Sequence, residues 1–271
     1  MDVIFFYGAL LLYVVGTLAY LLLLWIKGGP LSQVATAATV GGFALHTAAL
    51  LARLITAGRP PLGNTYETLS FFAWATVLVY LILEVRFHRK IIGAFVLPIV
   101  LLTTLAAASV PKGPVGLSPA LQNAWIWVHV TFVVLGSAAL ALTCGVGLMY
   151  LLQERQLKSK SLGAMYYRLP SLDFLDGLGH RALLVGFPLL TAGLITGAIQ
   201  AQAARGQILM WDPTQLLSLV TWVIYAALLQ ARLSAGWRGR KAALLAILGF
   251  GAVLATFLGV SVLLGRPHTF N

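Results

Sequence analysis

The chain has 271 residues, of which 60% are hydrophobic and only 9% charged, and its mean hydropathy is +0.92. That composition lies far outside the soluble globular range and excludes a cytosolic enzyme. Eighteen Lys and Arg against seven Asp and Glu give a formal charge of +11, but the basic residues sit between apolar blocks instead of forming one patch, which argues against a nucleic-acid partner and for membrane orientation.

Blocks of apolar residues long enough to cross a bilayer core of ~30 Å predict helices over 3–26, 32–55, 66–86, 91–110, 123–152, 181–204, 213–233 and 242–264. The expected fold is all-α: a polytopic integral membrane bundle of about eight transmembrane helices, one domain over 1–271, in contact with membrane lipid. The first block lacks a basic n-region and a convincing cleavage site, so it reads as a retained span. Lys27, then Arg86, Arg89 and Lys90, then Arg155, Lys158, Lys160 and Arg168, then Arg232, Arg238, Arg240 and Lys241 follow the odd-numbered spans. These connections should be cytoplasmic. The others carry only Arg53, Arg59, Lys112, Arg205 and Arg266, which places both termini outside a cytoplasmic (inner) membrane.

The spans are informative for what they lack. Asp2, Glu67, Glu84, Glu154, Asp173, Asp176 and Asp212 all read as helix-end or loop residues, whereas ion-driven carriers place ionisable groups deep in the membrane. The single cysteine, Cys144, lies in an apolar run, which excludes a disulfide framework or a Cys-based metal site and suits a small core residue. Gly193, Gly197 and Ala201, at four-residue spacing, would admit a neighbouring helix backbone. The 153–180 connection mixes Met165, Tyr166, Tyr167, Leu169, Phe174 and Leu175 with charges and predicts a short interfacial helix.

Polar landmarks collect on the outer side. In Pro61-Leu62-Gly63-Asn64-Thr65-Tyr66-Glu67, Asn64 can cap the third helix while Glu67 returns a bond to the cap. In Trp211-Asp212-Pro213, Asp212 suits the N-cap and Pro213 the first helical position. His129 stands one turn after Trp125, sharing its helix face, and His268 lies just past the last span. Two imidazoles thus approach one side of the membrane from different helices. Histidine is the usual axial ligand of haem iron, and such a site also wants aromatic surface and cations for the propionates. Trp125, Trp127, Trp211, Tyr66, Phe270, Arg59, Arg205 and Arg266 are placed to contribute. Interfacial His beside Trp is also ordinary boundary chemistry. His46 falls ~21 Å into a ~30 Å core, where an imidazole is either functional or a buried hydrogen-bonding group. His180 lies at the cytoplasmic mouth of the sixth span, and His88 in a solvated basic run.

Together these landmarks resemble the cytochrome c assembly family of membrane proteins, of the CcsA or ResC type. The resemblance runs from about residue 40 to the C-terminus, through His46-Thr47, Arg53, Pro61–Glu67, Trp127-Val128-His129, Gly186–Leu190, Gly197-Ala198, Trp211-Asp212-Pro213, Thr221-Trp222, Gly236–Gly239, Gly249-Phe250 and His268. It implies a non-covalently bound haem b ligated by His129 and His268 on the outer face, with the Trp211 segment holding the porphyrin. The family's segment typically reads Trp-Gly-x-x-Trp-x-Trp-Asp-Pro-x-Glu, whereas this chain has Arg205, Leu209 and Gln215 at two of the tryptophans and the glutamate. A further family histidine corresponds to Gln230; His180, at similar depth, is a candidate substitute.

The expected function is haem handling in cytochrome c maturation. His129 and His268 would be metal ligands, Trp125 and Trp211 porphyrin contacts, Arg205 or Arg266 propionate partners, Asp212 a cap fixing the segment, and His46 and His180 further cofactor-binding candidates. Attachment of haem needs apocytochrome c thiols and reduced iron, so the chain is not expected to be an enzyme on its own. It would be one component of a haem-attachment complex, with a CcsB/ResB-like partner. The family also has a HemX-like branch linked to control of tetrapyrrole synthesis at glutamyl-tRNA reductase, and that regulatory role is the alternative expectation.

Overall fold

The computed structural model describes residues 1–26, 28–113, 124–160, 163, 165–208 and 213–257, the side chains of Ala124, Ala204 and Arg205 excepted. The described residues form an all-α structure of eight long helices: α1 (Asp2–Leu22), α2 (Gly29–Ala57), α3 (Thr65–Phe87), α4 (Gly93–Ser109), α5 (Ala124–Lys158), α6 (Leu172–Arg205), α7 (Pro213–Ser234) and α8 (Arg240–Leu254). A 3₁₀ turn, Lys90–Ile92, leads into α4, and α8 continues as a wider helical turn to Phe257. All eight are long and apolar enough to span a membrane. The eighth predicted span extends to 264, past the described residues.

Helix α5 is the axis of the bundle. It packs on α3, α4, α6 and α8, while α1 packs on α2 and α4, and α7 on α6 and α8. The α5–α6 contact is the most extensive because both helices present small residues. A Cβ on Gly136 would lie 2.7 Å from the Leu190 backbone nitrogen, and one on Gly193 2.6 Å from the Val133 side chain. The predicted small-residue stripe of α6 therefore has a definite neighbour, and that neighbour is α5.

The sixth helix starts earlier than predicted, at Leu172 instead of 181, because Ser171 caps it by accepting a hydrogen bond from the Phe174 backbone N–H. Asp173 and Asp176 accordingly lie in its first turns and not in a loop. Among the described residues no separate interfacial helix stands within 153–180: α5 runs on to Lys158, residues 165–168 form a turn, and α6 begins at Leu172. The leucines of this connection are used inside the bundle: Leu169, Leu175 and Leu178 are buried in one cluster with Tyr20, Tyr80 and Met149, while Tyr167 stays exposed. Arg168 closes this end by donating to the carbonyls of Leu23 and Trp25 past the end of α1.

Buried acids are matched to donors. Glu84, 7% exposed at the end of α3, accepts from the hydroxyls of Tyr20 (2.8 Å), Tyr80 (2.7 Å) and Thr36 (2.6 Å). One carboxylate thereby ties α1, α2 and α3 together, since leaving its oxygens unmet would be costly away from water.

Candidate functional site

Alternation of the eight helices brings the start of α5 and the end of α6 to the same end of the bundle as Asp2 and the Gly58–Asn64 turn. His129 sits there, half-buried, with its Nδ1 2.7 Å from the carbonyl oxygen of Gly193 on α6. A carbonyl oxygen only accepts, so Nδ1 carries the proton and the lone pair of the neutral ring is at Nε2. Two glycines make the contact possible. Gly193 lets α5 approach α6, and a Cβ on Gly197 would lie 2.6 Å from Cε1 and 2.8 Å from Nδ1 of the imidazole. On the preceding turn Trp125 is 54% exposed, and the Arg59 guanidinium lies over the Trp127 ring at 6.0 Å.

Arg59 belongs to an ion cluster around Glu67, whose spacing from Asn64 suggests a capping box. Asn64 does cap α3, accepting from the Glu67 backbone N–H at 2.8 Å. The Glu67 side chain, however, does not return to the cap residue; it accepts from the Gly63 backbone N–H one position earlier (2.6 Å), from Arg53 Nε (2.7 Å) and from Arg59 Nη1 (2.8 Å). The reason is burial: at 1% exposure a carboxylate needs cations and not only an amide. Arg53 donates further to Asp2 (2.9 Å) and to the Lys112 carbonyl (2.8 Å). Arg59 therefore has its charge met by Glu67.

His46 is 0% exposed. Its Nδ1 pairs with the Tyr13 hydroxyl at 3.2 Å and its Nε2 with the Ser70 hydroxyl at 2.8 Å, and the Phe6 ring meets it edge-on. Both nitrogens are thus engaged, by hydroxyls from α1 and α3. The ring joins three helices in the interior.

His180 faces the opposite end, in an open cleft of about 570 Å³ whose lining includes Asp173, Asp176, Arg232, Trp237 and Arg238. Arg232 makes a paired contact with Asp176, Nη1 to Oδ1 at 3.2 Å and Nη2 to Oδ2 at 2.9 Å, and donates from Nε to His180 Nδ1 at 3.2 Å. A guanidinium only donates, so the neutral His180 ring holds its proton at Nε2, the reverse of His129. Asp176 also accepts from the Gly239 backbone N–H at 2.9 Å, fixing the turn into α8. Gln230, near the same end of α7, is exposed.

Of the remaining candidates, Arg205 ends α6, and α7 starts at Pro213 as the Trp-Asp-Pro reading expects. Trp211, Asp212, Arg266 and His268 lie outside the described residues. Among the described residues no group of three or more His, Cys, Asp or Glu is placed to hold a metal ion. Sequence reasoning missed the Gly193 acceptor, the Glu67–Arg59–Trp127 connection and the Asp176–Arg232 pair. The spacing of Gly193 and Gly197 points to a neighbouring helix without naming His129, and unlike charges at each end of the bundle do not name their partners.

A family model for the cytochrome c assembly protein matches residues 62–268. The cytochrome c biogenesis protein CcsA of Prochlorococcus marinus is 38% identical over 245 residues, spanning 82% of this chain and 78% of its own length. CcsA of Pyropia yezoensis is 32% identical over 307 residues, spanning 98% of this chain and 95% of its own length. Among solved structures the cytochrome c heme lyase CcmF superposes on 98% of this chain with a TM-score of 0.70 at 17% identity, and this chain spans 50% of that one. At that identity the likeness is one of fold. The HemX-like regulatory expectation gains no support from these relatives.

Proposed function

The chain belongs to the cytochrome c assembly protein family, and from that premise we propose that it holds haem for cytochrome c maturation through His129. The observation that carries the proposal is the hydrogen bond from His129 Nδ1–H to Gly193 O. Metal-ligating histidines ordinarily donate their second ring N–H to a carbonyl or carboxylate, which selects the tautomer and fixes the ring plane. His129 has that arrangement at a half-buried position one helical turn after Trp125, and His180, protonated at Nε2, does not.

On this reading the basic end of the bundle, with Arg89, Lys90, Lys158, Arg232, Arg238 and Lys241, faces the cytoplasm, and the His129 end faces outward across the cytoplasmic membrane. The whole chain acts as one membrane domain. His129, through Nε2, and His268 would hold the haem iron, Trp125 and Trp211 would contact the porphyrin, Asp212 would fix the Trp211 segment, and Arg205 or Arg266 would pair with the propionates. Haem b, when bound, supplies the iron for these ligands and the porphyrin to be joined to cysteine thiols. The thiols come from an apocytochrome c and the gripping surface from a CcsB/ResB-like partner, because the outer connections are short.

The test is an absorption spectrum of the purified protein with haem quantified per chain. Wild type should show a low-spin bis-histidine spectrum; His129→Ala should lose most of the haem and His88→Ala almost none. Full retention in a His129→Ala, His268→Ala double variant would end this assignment.

A further inference from the structure

Glu67 and Arg59 lie on α3 and on the turn before it, yet their contacts end on α5, two residues from His129. We propose that Glu67 is a positioning residue: through Arg59 it clasps Trp127 and holds the first turns of α5, and so the His129 ring, in place. The inference rests on the haem reading above only for its consequence; the clasp itself is a statement about the polypeptide.

Three observations carry it. The first turn of a helix has backbone N–H groups with no intrahelical partner and frays unless held. The start of α5 is held from two directions: the Arg59 guanidinium covers Trp127 at 6.0 Å, and Gly193 accepts from His129 at 2.7 Å. Two residues apart on a helix is a rotation of roughly 200°, so these contacts grip nearly opposite faces and together restrict both tilt and rotation. Arg59 is itself immobilised. Its side chain is 11% exposed and its Nη1 lies 2.8 Å from Glu67 Oε2, while Glu67 is anchored independently by Arg53 Nε at 2.7 Å. Finally, Gly63 is needed to admit the guanidinium, since a Cβ there would lie 2.6 Å from Arg59 Nη1 and 2.9 Å from Cζ. A lone surface ion pair contributes little. A carboxylate enclosed between two guanidinia, one of which covers an indole, has a fixed geometry and can transmit position.

The experiment compares wild type, Glu67→Gln, Trp127→Leu and Trp127→Phe as purified full-length proteins. Amide hydrogen exchange is measured without haem, then the spin state of bound haem with it. Glu67→Gln keeps the Gly63 contact but removes the charge that holds Arg59; Trp127→Leu leaves the Arg53–Glu67–Arg59 cluster intact and removes only its hold on α5. Both should speed exchange across 124–131 by about tenfold and add a high-spin fraction at His129, and Trp127→Phe, which keeps an aromatic face, should restore both towards wild type. If Glu67→Gln does not fold, Trp127→Leu decides. Unchanged exchange across 124–131 in Trp127→Leu, or a phenylalanine variant no better than the leucine one, overturns the clasp. A wild-type protein that takes up no haem overturns the functional reading instead, and the haem-free exchange still decides the clasp.

Discussion

The carbonyl oxygen of Gly193 lies 2.7 Å from Nδ1 of His129, and this one contact assigns the proton of the imidazole. It also explains why α6 carries glycine at both 193 and 197. The backbone of one helix must reach the side chain of the other, and the ring must lie where a Cβ would otherwise stand.

Gly197→Ala should therefore disturb His129 although alanine favours the helix by up to ~1 kcal/mol. The added methyl would fall 2.6 Å from the ring, so the ring must rotate off Gly193. Haem per chain is expected to drop several-fold. Gly177→Ala on the same helix has nothing within 4 Å of its Cβ and should leave haem unchanged while raising the melting temperature slightly. Equal haem content in the two variants would contradict this geometry.

His46→Ala should behave in the opposite way. It removes a fully buried ring and leaves the Tyr13 and Ser70 hydroxyls without their partner, a loss on the order of 2–4 kcal/mol. The expected result is a lower unfolding midpoint with haem per folded chain close to wild type. Haem lost from a chain of normal stability would instead give His46 a direct part in the site.

Asp176→Ala should loosen the basic end. Arg232 has a side chain only 8% exposed and Asp176 17%, so removing the carboxylate leaves an enclosed guanidinium and costs on the order of 3 kcal/mol. It also frees the Gly239 N–H at the start of α8. Exchange should quicken at 172–180 and 235–243 and remain slow around His129. An unchanged unfolding midpoint would show the pair to be idle.

Orientation is testable apart from haem. Reporters fused after residue 90 or 240 should read as cytoplasmic and one at residue 271 as external, since basic connections remain inside. An external signal after 240 would move His129 to the cytoplasmic face.

Membrane class, helix number and the cytochrome c assembly resemblance were legible in the amino-acid sequence, because the bilayer requires about 20 apolar residues per span and those runs are local in the chain. The small-residue stripe of α6 was legible for the same reason: four-residue spacing defines a helix face. The start of α6 and the missing interfacial helix were not. Whether Leu169 and Leu175 lie on a membrane surface or inside the bundle depends on contacts with α1 and α3, distant in sequence. The histidines make the distinction clearest. Position in the sequence presented His129 as a metal ligand and His46 and His180 as further cofactor-binding candidates; the tertiary structure separated the three by their neighbours, two hydroxyls for His46, a carbonyl for His129 and a guanidinium for His180. A ring nitrogen's proton is set by the group across from it, and only the packing of α5 on α6, of α2 on α1 and α3, and of α6 on α7 brings those groups within reach.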